Sequence, residues 1–215
     1  MTPGPTHVIR CPLCSQLGKY PTVASGNTFA AVYYTDGKRV APMLPAIPSV
    51  VRCGFCRGVF WRRAAAEVGQ FTEQHEEPAN VDTEWLMAGY LDEPDEAEYL
   101  AALELLISST PTEERSIRLF AWWRGNDRHR GPSATPGADN PEVVNRRHDN
   151  MRALLPLLAT AESADLIMRA EVLRQLGEFE LATKALTRHF PAAFDTAISR
   201  LLYLCARRDS MLQKL

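Results

Sequence analysis

Two runs, CPLC at residues 11–14 and CGFC at residues 53–56, place four cysteines in pairs of identical C-x2-C spacing, with 38 residues between Cys14 and Cys53. A C-x2-C turn can aim both sulfurs to one side while nearby backbone N–H groups bond the thiolates, and two such turns supply the four ligands of tetrahedral Zn²⁺. Gly18 and Gly54 suit turns of this kind. A thioredoxin-like redox pair would need a helix starting at the cysteines to lower the first thiol's pKa. The segment after the first pair, SQLGKYPTV, instead carries Gly18 and Pro21. A disulfide framework is disfavoured by the chain length and by the absence of a secretory signal. The expected site is therefore one structural Zn²⁺ on Cys11, Cys14, Cys53 and Cys56, with no coordination position left for a water nucleophile.

A metal staple of this kind holds only a small core, and 215 residues leave room for a second module. The 46% apolar and 23% charged composition is that of a globular protein. No apolar run reaches the roughly 18 residues of a membrane span. The N-terminal MTPGPTHVIR lacks an apolar signal core, so a cytoplasmic location is expected. Cys205, the fifth cysteine, lies in the apolar pattern AISRLLYLCA and reads as a buried hydrophobe. The net charge of −2 conceals three blocks: residues 1–63 carry +7 with Asp36 their single acid, residues 64–114 carry −14 with no Lys or Arg, and residues 115–215 carry +5. Four zinc-bound thiolates would take the first block to about +5. Such asymmetry bears on partners and solubility rather than on fold.

The pattern predicts a small N-terminal β module over 7–63, an acidic linker with short helices over 64–93, and a helical domain over 94–215, an α+β protein overall. Residues 1–6 read as a frayed tail, TFAAVYYT as a strand entering an Asp36-Gly37 turn, and the prolines at 42, 45 and 48 as an extended segment. WRRAAAEV predicts a short helix ending at Gly69, and residues 70–83 an acidic connection. Further helices are expected after an Asp82 or Thr83 cap, after Pro94 with Tyr99, Leu100, Leu103, Leu106 and Ile107 on one face, from Thr110-Pro111, and from Asn140 to a break at Pro156. Residues 125–140 read as a loop.

Residues 7–61 resemble a zinc ribbon, or a rubredoxin-like pair of knuckles, in their ligand spacing. From Leu166, the run LIMRAEVLRQLGEFELATKALTRHF looks like one tetratricopeptide-type helical hairpin near 166–190. Leu166, Ala170 and Leu173 match the inner face of its first helix, Gly177 its turn, and Phe179 and Ala182 the start of its second helix. A second copy at the family's period is not visible, so the resemblance implies a hairpin packed on neighbouring helices. The whole chain is similar to uncharacterised bacterial proteins that join a zinc-knuckle head to a helical body. That resemblance implies no activity.

Catalytic motifs are not apparent: His7, His75, His129, His148 and His189 lie outside any zincin pattern, and there is no nucleophile elbow, Walker loop or dinucleotide fingerprint. No catalytic residue and no organic cofactor is assigned, although an unrecognised site in the helical domain is one alternative. Nucleic-acid binding is a second alternative. Arg39, Arg57, Arg62 and Arg63 accompany Tyr33, Tyr34, Phe55, Phe60 and Trp61 in the head, and Trp122, Trp123, Arg124, Arg128 and Arg130 form a second basic and aromatic cluster. A pI near 6.2 is low for a dedicated nucleic-acid binder. The favoured expectation is a non-enzymatic zinc-binding adaptor whose partner is another protein, with no membrane involvement.

Overall fold

Val8 and Ile9 are adjacent, both buried, and feed two different apolar clusters, because neighbours on a strand point to opposite faces. They lie in β1 (Thr2–Arg10) of a computed structural model that describes residues 1–72, 81–131 and 140–215. The chain forms two compact units, one of residues 1–31 and 40–107, the other of residues 32–39 and 108–215. Together they make an α+β protein with a β-rich N-terminal region and a larger helical part.

In the first unit, β1 pairs antiparallel with β2 (Leu17–Ser25) on one side and with β7 (Ala66–Phe71) on the other. The two-residue β8 (Gly89–Tyr90) adds to β2 in parallel, giving the sheet order β7-β1-β2-β8. A separate hairpin joins β5 (Val50–Arg52) to β6 (Val59–Trp61), with Val51 opposite Phe60. Ile9, Cys11, Val51, Cys53 and Phe60 form one core, with Tyr20 and Leu91 at its margin. Val8, Phe71 and Val81 form the other, with Trp85 against them. Two helices complete the unit. α1 (Thr83–Met87) is capped by Asp82, whose carboxylate accepts the Glu84 N–H at 2.9 Å. α2 (Glu96–Glu104) starts in a reciprocal capping box between Asp95 and Glu98.

Two local expectations give way to pairing here. Residues 1–6 are not frayed: Thr2 pairs with Ser25 and Thr6 with Pro21, while the register shifts fall around Pro3, where a missing N–H interrupts no ladder. WRRAAAEV is not a helix: one 3-10 turn at Arg62–Ala64 leads into β7. The second edge of β1 needs backbone partners, and β7 supplies them. Gly69 has a packing role within β7, since a Cβ there would lie 2.2 Å from Cη2 of Trp85.

The second unit contains α3 (Pro111–Asp127), α4 (Pro141–Leu154), α5 (Ser163–Gln175), α6 (Phe179–Ala185) and α7 (Asp195–Ala206). Thr110 and Asn140 cap α3 and α4 through their side chains, and Pro156 sits in the 3-10 turn that ends α4. α5 closes with Gly177 at φ +81; the Gly177 N–H donates to Arg174 O and the Glu178 N–H to Leu173 O, a Schellman turn that reverses the chain into α6. Leu119, Trp122, Met151, Leu154, Leu158 and Val172 form one core, and Leu166, Ile167, Ala170, Leu186, Phe190 and Leu201 another.

The run TFAAVYYT yields only β3 (Val32–Tyr33), which pairs with β4 (Arg39–Val40) around the Asp36-Gly37 turn. Residues 32–39 belong to the helical unit. Thr35 donates to Glu171 at 2.7 Å, and Asn126 donates to Asp36 at 2.9 Å. Glu171 and Arg174 are both fully buried, joined by two 2.7 Å bonds, and Arg174 reaches the carbonyls of Asp209 and Met211. Burial pushes the Glu171 carboxyl up, while Arg174, Thr35 and Gln175 donate to it and hold it down. Parts of two predicted segments, 73–80 (including His75) of the acidic connection and 132–139 of the 125–140 loop, lie outside the described residues. Among the described residues, no helix is long and apolar enough to cross a membrane.

Candidate metal centre

The first pair lies between β1 and β2, the second between β5 and β6, so each cysteine turn closes an antiparallel pair. The two turns are built alike. The Cys11 N–H donates to Gln16 O and the Cys53 N–H to Gly58 O, each at 2.9 Å. Ser15 donates to Cys11 O, and Arg57 to Cys53 O, at 2.9 and 3.0 Å. The left-handed residues are Ser15 at φ +64 and Arg57 at φ +62, one step past each second cysteine. The glycines serve close approach instead: a Cβ on Gly58 would lie 2.4 Å from Leu13 Cδ1, and one on Gly54 would lie 3.0 Å from Tyr90 O.

The four sulfurs lie within 4.8 Å of one another, with Cys11 to Cys56 at 3.9 Å and Cys14 to Cys53 at 3.8 Å. A tetrahedron with Zn–S bonds of about 2.3 Å has edges of about 3.8 Å, so the sulfur separations fit such an ion. The N–H groups of Leu13 and Phe55 approach Cys11 Sγ and Cys53 Sγ at 3.4 Å, and those of Gln16 and Gly58 bond Cys14 and Cys56. Burial pushes the Cys11 thiol up to about 12 against the pull of the Leu13 and Cys14 N–H groups, whereas the Gln16 N–H draws Cys14 down. A buried thiolate at Cys11 needs a neighbouring positive charge, and a divalent cation at the centre of the four sulfurs provides it. Among the described residues, this is the group of metal-ligating side chains close enough to share an ion. Cys205 is buried in the helical unit, where desolvation raises its thiol pKa.

The basic residues of the head have partners of their own. Arg52 bonds Glu98 at 2.8 Å and Asp92 at 2.7 Å, and Arg57 reaches Glu98 at 3.4 Å. Arg62 donates to Pro48 O and stacks 4.6 Å over Tyr20, and Arg63 lies 4.2 Å over Trp61. Arg39 is exposed on β4. In the helical unit, Trp122 is fully buried and donates to Gln175 at 2.9 Å, while Trp123 donates to Asp36 O. Arg124 and Arg130 bond Asp127, Arg130 also bonds Asp36, and Arg128 is half-buried at the end of α3.

Sequence reasoning passed over Leu13 and Met87, and placed Phe55 among the basic and aromatic residues rather than with them. Leu13 and Phe55 hold the third position of each C-x2-C turn, and Phe55 is 72% exposed. Met87, 81% exposed, shares with Phe55 the wall of an open cavity of about 410 Å³. The shared hydrophobe in C-P-L-C and C-G-F-C was the available signal. No family model, curated protein or solved structure matches this chain.

Proposed function

We propose that the chain is a non-enzymatic, zinc-stapled protein-interaction module of the bacterial cytoplasm, with one structural Zn²⁺ on Cys11, Cys14, Cys53 and Cys56. In this reading the head is a zinc ribbon, and the α5–α6 hairpin is a tetratricopeptide-like element of the helical body. The carrying observation is the contrast around the sulfurs: Arg52 is held by Asp92 and Glu98, while Leu13, Phe55 and Met87 remain exposed. Engaged arginines offer little to phosphates, and exposed large apolar side chains beside a rigid turn suit a protein partner.

Metal analysis of the purified chain tests the first half, with one zinc per chain expected and none in Cys11→Ser/Cys53→Ser. Fluorescence anisotropy with single- and double-stranded DNA and RNA over a salt series tests the second. Flat anisotropy at low salt supports a protein partner. Micromolar binding with a steep salt slope, lost in Arg57→Glu/Arg63→Glu, replaces it with a nucleic-acid function.

A further inference from the structure

Most arginines of this protein answer a carboxylate or a backbone carbonyl, but one group of cations does not. Arg200, Arg207 and Lys214 have no carboxylate partner among the described residues, and all three belong to the helical unit. Arg200 on α7 stands three residues before Tyr203, and Arg207 at the helix C-cap four residues after it, the spacing that stacks side chains along one helix face. Both guanidinium groups lie 5.7 Å from the Tyr203 ring centre. The ring is 52% exposed. Arg200 also carries a buried Nε with no hydrogen-bond partner, and its terminal nitrogen meets Gln213 only at 3.5 Å.

Residues 213–215 form the opposite wall. Their backbone is pinned, with Lys214 bridged to Tyr34, the Thr35 N–H donating to Gln213 O at 2.9 Å, and the Leu215 N–H donating to Tyr33 O at 3.0 Å. Between this wall and α7 lies an open groove of about 650 Å³, lined by Arg200, Tyr203, Lys214 and Leu215, with Asp195 its one acid. Leu215, of the lining, is an exposed apolar group.

We propose that this groove binds an acidic segment of a partner protein, with Asp or Glu side chains on Arg200 and Lys214 and an apolar residue against Tyr203 and Leu215. The charge complementarity is local: two lining cations face one lining carboxylate, and Arg207 adds a third cation beside Tyr203. Guanidinium groups already held at an aromatic ring lose less freedom on pairing with a carboxylate. A nucleic acid is the weaker fit, because the lining offers one aromatic ring, whereas single strands are held by successive stacked bases. The inference is independent of the metal centre.

The test is NMR titration of the full zinc-loaded chain with a pool of hexapeptides randomised over Glu, Asp, Leu and Phe, beside a pool with Lys replacing the acids and a dT oligonucleotide. Amide shifts confined to 196–203 and 213–215 with the acidic pool are expected, weakened about tenfold by Arg200→Glu and by Lys214→Glu. Lys214→Glu alters a side chain whose backbone holds the wall, so retained circular dichroism and lost binding together support the site. No shift with the acidic pool, equal shifts with the Lys pool, stronger binding of dT at these amides, or binding indifferent to both variants would overturn it. A purified chain that carries no zinc yet binds the acidic pool would sink the metal reading and leave the groove standing.

Discussion

The Asp36 carboxylate has no solvent exposure and is paired with the guanidinium of Arg130, itself 7% exposed. Asp36 also accepts from Asn126 and from the Lys38 N–H of its own turn, and its carbonyl accepts from Trp123. The single acid of residues 1–63 therefore acts as a cap inside the helical unit, where the Asp36-Gly37 turn is anchored.

Removing Asp36 leaves the buried Arg130 guanidinium with Asp127 alone to balance it and leaves the Asn126 and Trp123 donors around a vacated site. Asp36→Ala is expected to lower stability of the helical unit by about 3–5 kcal/mol. Asp36→Ala/Arg130→Met should recover a large share of it. Urea unfolding of the three proteins checks this, and a double variant no better than the single one would rule out the pair as the cause.

With zinc on the four cysteines as proposed, its removal should act on one unit. With ligands gone, the β1–β2 and β5–β6 turns lose their cross-link, and apparent binding free energies for structural zinc run to about 10–16 kcal/mol. Cys53→Ser, or chelation, is expected to collapse NMR dispersion for residues 1–31 and 40–72 while most helical circular dichroism persists. Wholesale loss of helix would contradict two separately stable units.

Leu106 follows α2 with φ +55 and is 80% exposed. Its N–H donates to Leu103 O and the Ile107 N–H to Ala102 O, the same Schellman closure that Gly177 makes after α5. A left-handed leucine costs about 1–2 kcal/mol. Leu106→Gly is expected to raise stability by about 0.5–1 kcal/mol after the added chain entropy of glycine, read as a higher urea midpoint. A drop would mean the leucine makes a stabilising contact.

Burial and the charges of Arg128, Arg147 and Arg130 lower the pKa of His129, and burial with Arg152 and Arg147 lowers that of His148. A depressed folded-state histidine pKa means the unfolded chain binds protons first as pH falls. The linked stability is therefore full above the unfolded value of about 6.5 and declines below it, until the folded pKa is passed. NMR titration should place both midpoints below 6.5, and His129→Asn/His148→Asn should flatten stability in that window. Midpoints at or above 6.5 would contradict the burial argument.

What was legible in the sequence depends on neighbours along the chain. The C-x2-C turns, the Asp82, Thr110 and Asn140 caps, the Gly177 reversal and the Pro156 stop each involve groups a few residues apart, so their chemistry could be read locally. Leu106 escaped because helical periodicity does not show where a left-handed residue ends the helix. The partners of the basic side chains escaped because they lie far away in sequence, as Glu98 does from Arg57 and Asp36 from Arg130.

The sequence by itself determined the two paired cysteine turns, the α+β division and most helix starts, because sulfur spacing, capping and periodicity are short-range. Only the tertiary structure decided that WRRAAAEV becomes β7, since the open edge of β1 outweighs a modest helical preference. It alone decided that Thr35 and Asp36 belong with Glu171, Asn126 and Arg130. Burying a charge requires a partner, and folding brings that partner from any distance along the chain.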